Sequence, residues 1–156
     1  MGGDRLPAAD WLRRHHRVNL HVADHRRLSA QLTHADDDGT ADALLTALTD
    51  LAAHAAELRT GRPVQVPQPP RMRLEQAALP RDAYFGPTEQ VPWDKAHGRI
   101  AAEMLTPYPA GIPAALPGER LTQDVLHYLR SGVEAGMFVP DAVDTQVTSV
   151  RVTREE

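Results

Sequence analysis

Apolar residues recur at the spacing of an amphipathic helix in several stretches of the chain. An aspartate-rich turn precedes the longest of these stretches, and we expect Asp38 or Thr40 to cap that helix and Gly61 to end it. Thr122 has the position and the side chain of a helix cap before the last stretch. The pattern predicts helices over residues 8–16, 41–58 and 121–136, and a short helix over residues 92–97 that begins with proline.

Apolar and polar residues alternate in the intervals between these helices, which is the pattern of strands with one buried face. The alternation predicts strands over residues 18–23, 27–32, 100–105 and 145–153, the last of them at the edge of a sheet. Helices and strands together predict an α+β fold, in which small antiparallel or mixed sheets are covered by helices.

Proline replaces the apolar periodicity between residues 61 and 73, where Pro63, Pro67, Pro69 and Pro70 lie. This composition is typical of an extended linker or arm. A chain of 156 residues is long enough for one good core or for two small lobes. We therefore expect a helix–strand–helix lobe over residues 1–60, a proline-rich linker over residues 61–79 and a second lobe over residues 80–156.

The composition argues against several classes of function. The net charge of −4 is small and the basic residues are scattered, so no nucleic-acid partner is expected. The chain has no cysteine, no signal-peptide pattern and no apolar run near the roughly 20 residues of a membrane span, which favours a cytoplasmic protein without a membrane partner. His15, His16, His21 and His25 lie close together, but without a carboxylate–histidine motif they indicate no metal site.

The most distinctive stretch runs from residue 98 to residue 119 and reads GRIAAEMLTPYPAGIPAALPGE. Proline restricts the backbone at several of its positions, and glycine permits turns that other residues resist. The combination indicates a shaped loop that holds Glu103 or Tyr108 in a fixed place, although a rigid surface loop would have the same composition. The loop motif depends on Pro107, Pro109, Gly111, Pro113 and Gly118.

This stretch resembles the C-terminal region of the bacterial ornithine/lysine/arginine decarboxylases. The family pattern has three parts, G-R-[IV]-[SA]-A-E, P-Y-P-P-G-[IV]-P and P-G-E, which fall on residues 98–103, 107–113 and 117–119. Ala110 stands where the family usually has a second proline. The resemblance is strongest over residues 80–130 and looser over residues 8–60. It implies part of a pyridoxal-phosphate (PLP) enzyme of aminotransferase-like fold, a homo-oligomer with its active sites at dimer interfaces.

The resemblance also implies that the cofactor lysine lies outside this chain. In the family that lysine follows a Ser-x-His element of the large domain, and this element is absent here. The single lysine of the chain, Lys95, lies in the predicted short helix and is expected to be solvated. We therefore expect that this chain alone binds no cofactor and is inactive, and that PLP is held by an N-terminal half on the same gene or on a separate chain.

A decarboxylase of basic amino acids needs hydrogen-bonding groups that position the substrate and its distal amine. Glu103, Tyr108 and Glu119 are the candidates for the substrate pocket in this half. Each has a structural alternative: Glu103 could pair with Arg99 or Arg120, Tyr108 could pack between prolines, and Glu119 could serve only as a charge at a helix N-terminus. Arg99 is expected to be structural, because a tight clamp on the substrate carboxylate would oppose its release.

These observations favour the C-terminal portion of a PLP-dependent decarboxylase, a lyase of polyamine metabolism, which supplies substrate-pocket and dimer-interface elements. The alternative is a stand-alone, non-catalytic protein derived from this domain, with a regulatory, assembly or amine-binding role. A third reading is an unrelated α+β domain. The residues leave open whether lysine, arginine or ornithine is the substrate.

Overall fold

The computed structural model describes residues 7–24, 26–58, 63–108 and 111–154. The chain divides into two compact units, Met1–Gly61 and Arg62–Glu156. Both units combine short helices with two-stranded antiparallel sheets, so the predicted α+β class is confirmed. The predictions for His25, Gly61 and Pro109 lie outside the described residues.

The first unit is a pair of helices with a small hairpin between them in sequence. Trp11 and Leu12 of the first helix are buried against Ala47 and Leu51 of the second. This apolar contact explains why the periodic stretches at either end of the unit become helical. The elements are α1 (Ala8–His16), β1 (Val22–Ala23), β2 (Leu28–Ser29), α2 (Asp38–Ala53) and a 3-10 turn (Ala55–Glu57).

The first predicted helix is confirmed, whereas the bounds of the second were wrong. Asp37 caps α2, because its side chain accepts a hydrogen bond from the Thr40 amide at 2.9 Å, and the helix consequently starts before residue 41. Its C-terminal end is Ala53, where a 3-10 turn replaces the predicted last turns.

The two predicted strands of this unit shrink to two residues each. Ser29 and Leu28 pair with Val22 and Ala23, and β2 is exposed along both residues. Because β2 has no buried face, packing does not stabilise the longer strands that the sequence alternation predicted.

The second unit has its core between one helix and one antiparallel pair of strands. Val91 lies opposite Val150, and Glu89 lies opposite Val152. Val150 and Val152 are buried in one cluster with three side chains of the last helix, Val125, Leu126 and Leu129. The elements are a 3-10 turn (Pro69–Met72), α3 (Pro80–Phe85), β3 (Thr88–Pro92), a 3-10 turn (Trp93–Lys95), α4 (Gln123–Glu134) and β4 (Ser149–Thr153).

The last predicted helix is confirmed as α4, and Thr122 caps it by accepting a hydrogen bond from the Val125 amide. The short helix predicted over residues 92–97 is one turn of 3-10 helix, and its proline precedes the first turn instead of opening it. The sequence pattern missed α3 and β3. β3 has no simple alternation because it carries Pro92 and polar side chains, and its pairing with β4 makes it a strand.

Residues 100–105 form no continuous strand. Ile100 pairs with Arg120 and Leu105 with Ala115, whereas Ala101 pairs with Val152 on β4. Because the segment changes partner along its length, it forms isolated bridges and no ladder. β4 is an edge of its two-stranded sheet, as predicted, and the single bridge from Ala101 to Val152 covers part of its other side.

β4 begins later than predicted because of the turn before it. The Asp144 carboxylate accepts hydrogen bonds from the amides of Gln146, Thr148 and Ser149. The hydroxyl of Thr148 donates to the same carboxylate, and this contact is the main one of the hydrogen bonds that together lower the pKa of Asp144 to about 2. Val147 has a φ of 47°, which breaks the extended backbone before Ser149.

The proline-rich stretch contributes to the second unit. Val64 is buried, and Met72 and Leu74 pack against the core of this unit. The amide of Gln65 donates to the Ser131 hydroxyl at 2.9 Å. No helix among the described residues is long and apolar enough to cross a membrane.

Candidate functional site

In the distinctive stretch of the sequence, residues 98–108 and 111–121 form two antiparallel arms, which we call the motif segment. The Gly98 amide donates to the Leu121 carbonyl at 2.9 Å, and the Ala101 amide donates to the Glu119 carbonyl at 2.8 Å. Further along, the Leu105 amide donates to the Ala115 carbonyl at 2.9 Å. These bonds hold the arms together up to the proline-rich tip, and they satisfy backbone groups that are buried in this unit.

Gly118 is required where the second arm turns. Its φ is 89°, a conformation that side-chain-bearing residues rarely adopt. A Cβ atom at this position would clash with the Ala78 carbonyl oxygen and would lie 2.5 Å from the side-chain nitrogen Nε2 of Gln76. The glycine of the P-G-E part of the motif therefore permits close contact with the backbone of Ala78 and with the side chain of Gln76.

Glu103 connects the first arm to two distant parts of the unit. Its side chain is 2% exposed, and each carboxylate oxygen accepts one backbone hydrogen bond. The Arg151 amide of β4 donates to Oε1 at 2.6 Å, and the Val143 amide donates to Oε2 at 2.5 Å. A buried carboxylate with both oxygens satisfied in this way fixes the position of the backbone around it.

The structural alternative for Glu103, a pairing with Arg99 or Arg120, does not form, because the Arg151 and Val143 amides occupy its oxygens. Arg99 donates to the Glu89 carboxylate at 2.6 Å and to the Thr153 carbonyl at 2.9 Å. Arg120 donates to the Glu75 carboxylate and to the Gly98 carbonyl, each at 2.9 Å. Both arginines thus tie the motif segment to neighbouring backbone, which is the structural role expected of Arg99.

The tip of the motif segment presents aromatic and aliphatic side chains to solvent. Tyr108 is 52% exposed, and its backbone pairs with that of Phe138, which is 73% exposed. The Tyr108 amide donates to the Phe138 carbonyl at 2.6 Å, and the Phe138 amide donates back at 3.1 Å. Ile112, on the same tip, is 72% exposed. We call Tyr108, Ile112 and Phe138 the apolar rim.

The three predicted pocket residues have different surroundings. Glu103 is buried, Tyr108 belongs to the apolar rim, and Glu119 is half-buried and accepts a hydrogen bond from the Leu116 amide at 2.7 Å. Their participation in a substrate pocket stays a prediction. Sequence reasoning missed Phe138, whose only signal is an aromatic residue four positions after the end of α4.

Thr106 is the second buried polar side chain of the motif segment. It is 4% exposed, and its hydroxyl has no hydrogen-bond partner among the described residues. It directly precedes Pro107 and Tyr108, so the buried base of the tip is more polar than its exposed rim.

The described residues do not fit a covalently bound PLP. That cofactor needs a lysine held beside an acid for the pyridine nitrogen and donors for the phosphate. Lys95 is instead exposed, on the single 3-10 turn Trp93–Lys95. Within the described ranges, no three histidine, aspartate or glutamate side chains are placed to hold a metal ion.

Comparison with known proteins shows where the motif segment occurs. Residues 63–147 match the sequence model of the family described as "Orn/Lys/Arg decarboxylase, C-terminal domain". This match covers more than half of the chain and includes the whole motif segment. The chain belongs to this family. The resemblance stated from the motif is therefore confirmed, and the domain is part of a lyase family.

Individual relatives agree with this membership. The arginine decarboxylase of Bacillus anthracis is 34% identical over 148 residues, which are 93% of this chain and 29% of the relative. The lysine decarboxylase LdcA of Pseudomonas aeruginosa is 48% identical over 62 residues, which are 35% of this chain and 8% of the relative. The chain thus spans less than a third of the length of these curated relatives.

Solved structures confirm the fold of the decarboxylase C-terminal domain. The lysine decarboxylase of Francisella novicida superposes with a TM-score of 0.68 at 15% identity, over 96% of this chain and 28% of that one. The constitutive lysine decarboxylase of Escherichia coli superposes with a TM-score of 0.65 at 20% identity, over the same shares.

Proposed function

We propose that this chain works as the C-terminal part of a PLP-dependent decarboxylase of basic amino acids, in which it completes the substrate pocket and the dimer interface. The observation that carries the proposal is the hydrogen-bonded motif segment, whose residues Tyr108 and Ile112 are exposed together with Phe138, the residue that pairs with Tyr108. The N-terminal half, on the same or a separate chain, holds the cofactor and its lysine, and the complete enzyme is a cytoplasmic homo-oligomer.

The anchoring of the motif segment supports a positioning role. Two paired arms, the Glu103 carboxylate and the Arg99 and Arg120 contacts all restrain the base of the tip. Positioning a substrate requires groups whose own geometry is fixed in advance by their surroundings. In this arrangement Glu103 positions the loop, since both of its oxygens are already used by backbone amides.

The exposure of the rim supports a docking role. Covering exposed apolar surface with a partner contributes about 25 cal/mol for every Å² that is removed from water. Phe138 and Ile112 are each more than 70% exposed, and the backbone of Phe138 is held by two hydrogen bonds to Tyr108 of the motif segment. The chain spans 29% of its Bacillus anthracis relative, and a half that matches the remainder is the partner we propose for this surface.

Tyr108 is the rim residue that we propose to contact substrate. Its phenol can accept a hydrogen bond from, or pack against, the extended side chain of a basic amino acid. Glu119 is the second candidate, because its carboxylate is half-buried and has one backbone contact. The choice between lysine, arginine and ornithine rests on residues of the other half.

Reconstitution tests this function. The chain is assayed alone and with the N-terminal half from the same genome, in the presence of PLP and each basic amino acid, and carbon dioxide release is followed. We expect turnover only from the combination, and no dependence on Lys95, tested with Lys95→Ala. Turnover by the chain alone would overturn the proposal, and binding of amines without turnover in any combination would favour the non-catalytic alternative.

Matched variants separate the two roles of the rim. Phe138→Ser should weaken assembly with the N-terminal half, measured by analytical ultracentrifugation, whereas Phe85→Ser, at a position 78% exposed outside the rim, should not. Tyr108→Phe should lower the rate at saturating substrate more than Tyr84→Phe, since Tyr84 is similarly exposed (47%) but stacks with Arg151 instead. Equal effects within either pair would contradict the assigned roles.

A further inference from the structure

Three polar side chains link the two helices of the first unit, and we call them the histidine clamp: His16, Asp50 and His54. His16 Nε2 lies 2.7 Å from Asp50 Oδ2, and this contact joins the end of α1 to α2. His54 Nδ1 lies 3.0 Å from Asp50 Oδ1 and 2.9 Å from the Asp50 carbonyl oxygen. One carboxylate thus contacts two imidazoles from opposite ends of the sequence of this unit.

Trp11 contacts the same rings at the edge of the core of the unit. Its ring centroid lies 4.5 Å from that of His15, 5.6 Å from that of His16 and 5.4 Å from that of His54. Trp11 is also 5% exposed and belongs to the cluster that packs α1 against α2. A change in the charge of the imidazoles therefore acts directly on the contact between the two helices.

We propose that the histidine clamp is a pH-sensitive latch, which tightens the packing of α1 on α2 as His54 becomes protonated. The His54 imidazolium donates a charge-assisted hydrogen bond to Asp50, the same carboxylate that His16 of α1 contacts, and this bond is stronger than the bond from the neutral ring. The cationic His54 ring on α2 also lies close to the indole of Trp11 on α1, whose face attracts positive charge. This device belongs to the first unit and goes beyond the proposed decarboxylase function.

The direction of the pH response follows from His54. Its hydrogen bond to the Asp50 carbonyl raises the pKa of His54 above the ordinary value of 6.5, and the Asp50 carboxylate adds to this effect. A group whose pKa is raised by folding stabilises the folded state fully below its unfolded value. The stabilisation is therefore complete below pH 6.5 and is lost as the pH rises through the higher pKa of folded His54.

Other titratable side chains lie near the histidine clamp. Glu57, in the 3-10 turn after α2, raises the pKa of His54, and Asp42 lines the same open groove on α2 as His16 and Asp50. His15 stacks on Trp11 from α1 and faces the clamp only across the indole. The contacts favour net tightening because the His54 ring contacts the Asp50 carboxylate directly.

Hydrogen exchange in the full chain tests the latch. Exchange is measured by mass spectrometry at about pH 5.5 and about pH 8, on either side of the ordinary histidine range, and is corrected for the intrinsic effect of pH on exchange. We expect the amides of α1 to be several-fold better protected at the lower pH. The amides of β4, which lies in the other unit, serve as an internal reference and should change little.

Two variants of similar charge distinguish the latch from a general effect of acid. Asp50→Asn should abolish most of the difference in α1 protection between the two pH values, whereas Asp42→Asn, an exposed aspartate on the same helix, should preserve it. If Asp50→Asn prevents folding, His54→Gln replaces it and should also reduce the difference. Equal protection at both pH values in the unmodified chain, or an Asp50→Asn variant that keeps the full difference, would overturn the proposal.

Nuclear magnetic resonance supplies an independent readout. The His54 ring resonances should titrate above the value of an unperturbed histidine in the unmodified chain and in Asp42→Asn, and closer to that value in Asp50→Asn. Titration of His54 at the ordinary value in the unmodified chain would contradict the latch, whatever the exchange data show.

Discussion

Replacing Glu103 with alanine should destabilise the second unit strongly. The substitution leaves the amides of Val143 and Arg151 without the carboxylate oxygens that now accept their hydrogen bonds at 2.5 and 2.6 Å. A hydrogen bond to a charged group contributes about 1.5–3 kcal/mol, so that the loss of both amounts to about 3–6 kcal/mol. This is a large part of the roughly 5–15 kcal/mol by which domains are stable.

Urea unfolding measures this loss in the unit concerned. In a Trp11→Phe background, Trp93 is the remaining tryptophan, and it lies in the core of the second unit. Glu103→Gln should lower the free energy of unfolding about half as much as Glu103→Ala, since its side-chain oxygen can still accept one of the two hydrogen bonds. Glu75→Gln is the matched control, because Glu75 pairs with Arg120 at the surface with 66% of its side chain exposed.

The control variant should lose less than about 1 kcal/mol, as is typical of exposed ion pairs. If Glu103→Ala unfolds within about 1 kcal/mol of the unmodified chain, the buried carboxylate does not hold the motif segment in place. In that case the positioning role argued for Glu103 would fail as well.

The other predictions concern single positions. Gly118→Ala should lower the free energy of unfolding by about 1–3 kcal/mol in the same urea assay, because its Cβ would meet the Ala78 carbonyl. Gly98→Ala has a φ of 82° but no atom within 4 Å of the added Cβ, and it should lower the free energy of unfolding by about 1 kcal/mol. Thr122→Ala removes the cap of α4 and should cost about 1 kcal/mol, read from the thermal midpoint. The low pKa of Asp144 stabilises the fold above pH 3.8, and this contribution is lost as the pH falls through about 2. In Asp144→Asn the free energy of unfolding should therefore fall less steeply as the pH is lowered through this range.

The sequence by itself determined the local elements and the family. The helices at residues 8–16 and after Thr122 follow from apolar spacing and a capping side chain, which act over three or four residues. The three-part motif in residues 98–119 identified the decarboxylase family, because its residues and their spacing match the family pattern over a long stretch. The sequence also showed directly that Lys95 is the single lysine of the chain.

Only the tertiary structure decided which distant groups meet. The amides on Glu103 belong to residues 40 and 48 positions away, and Tyr108 pairs with Phe138 across the unit. β3 is a strand because it pairs with β4 along its whole length. Residues 100–105 form no strand, because they divide their backbone hydrogen bonds between two partners. The periodicity of apolar residues predicts which side of a helix or strand is buried. It does not predict which other element covers that side, because the pairing depends on how distant parts of the chain pack together.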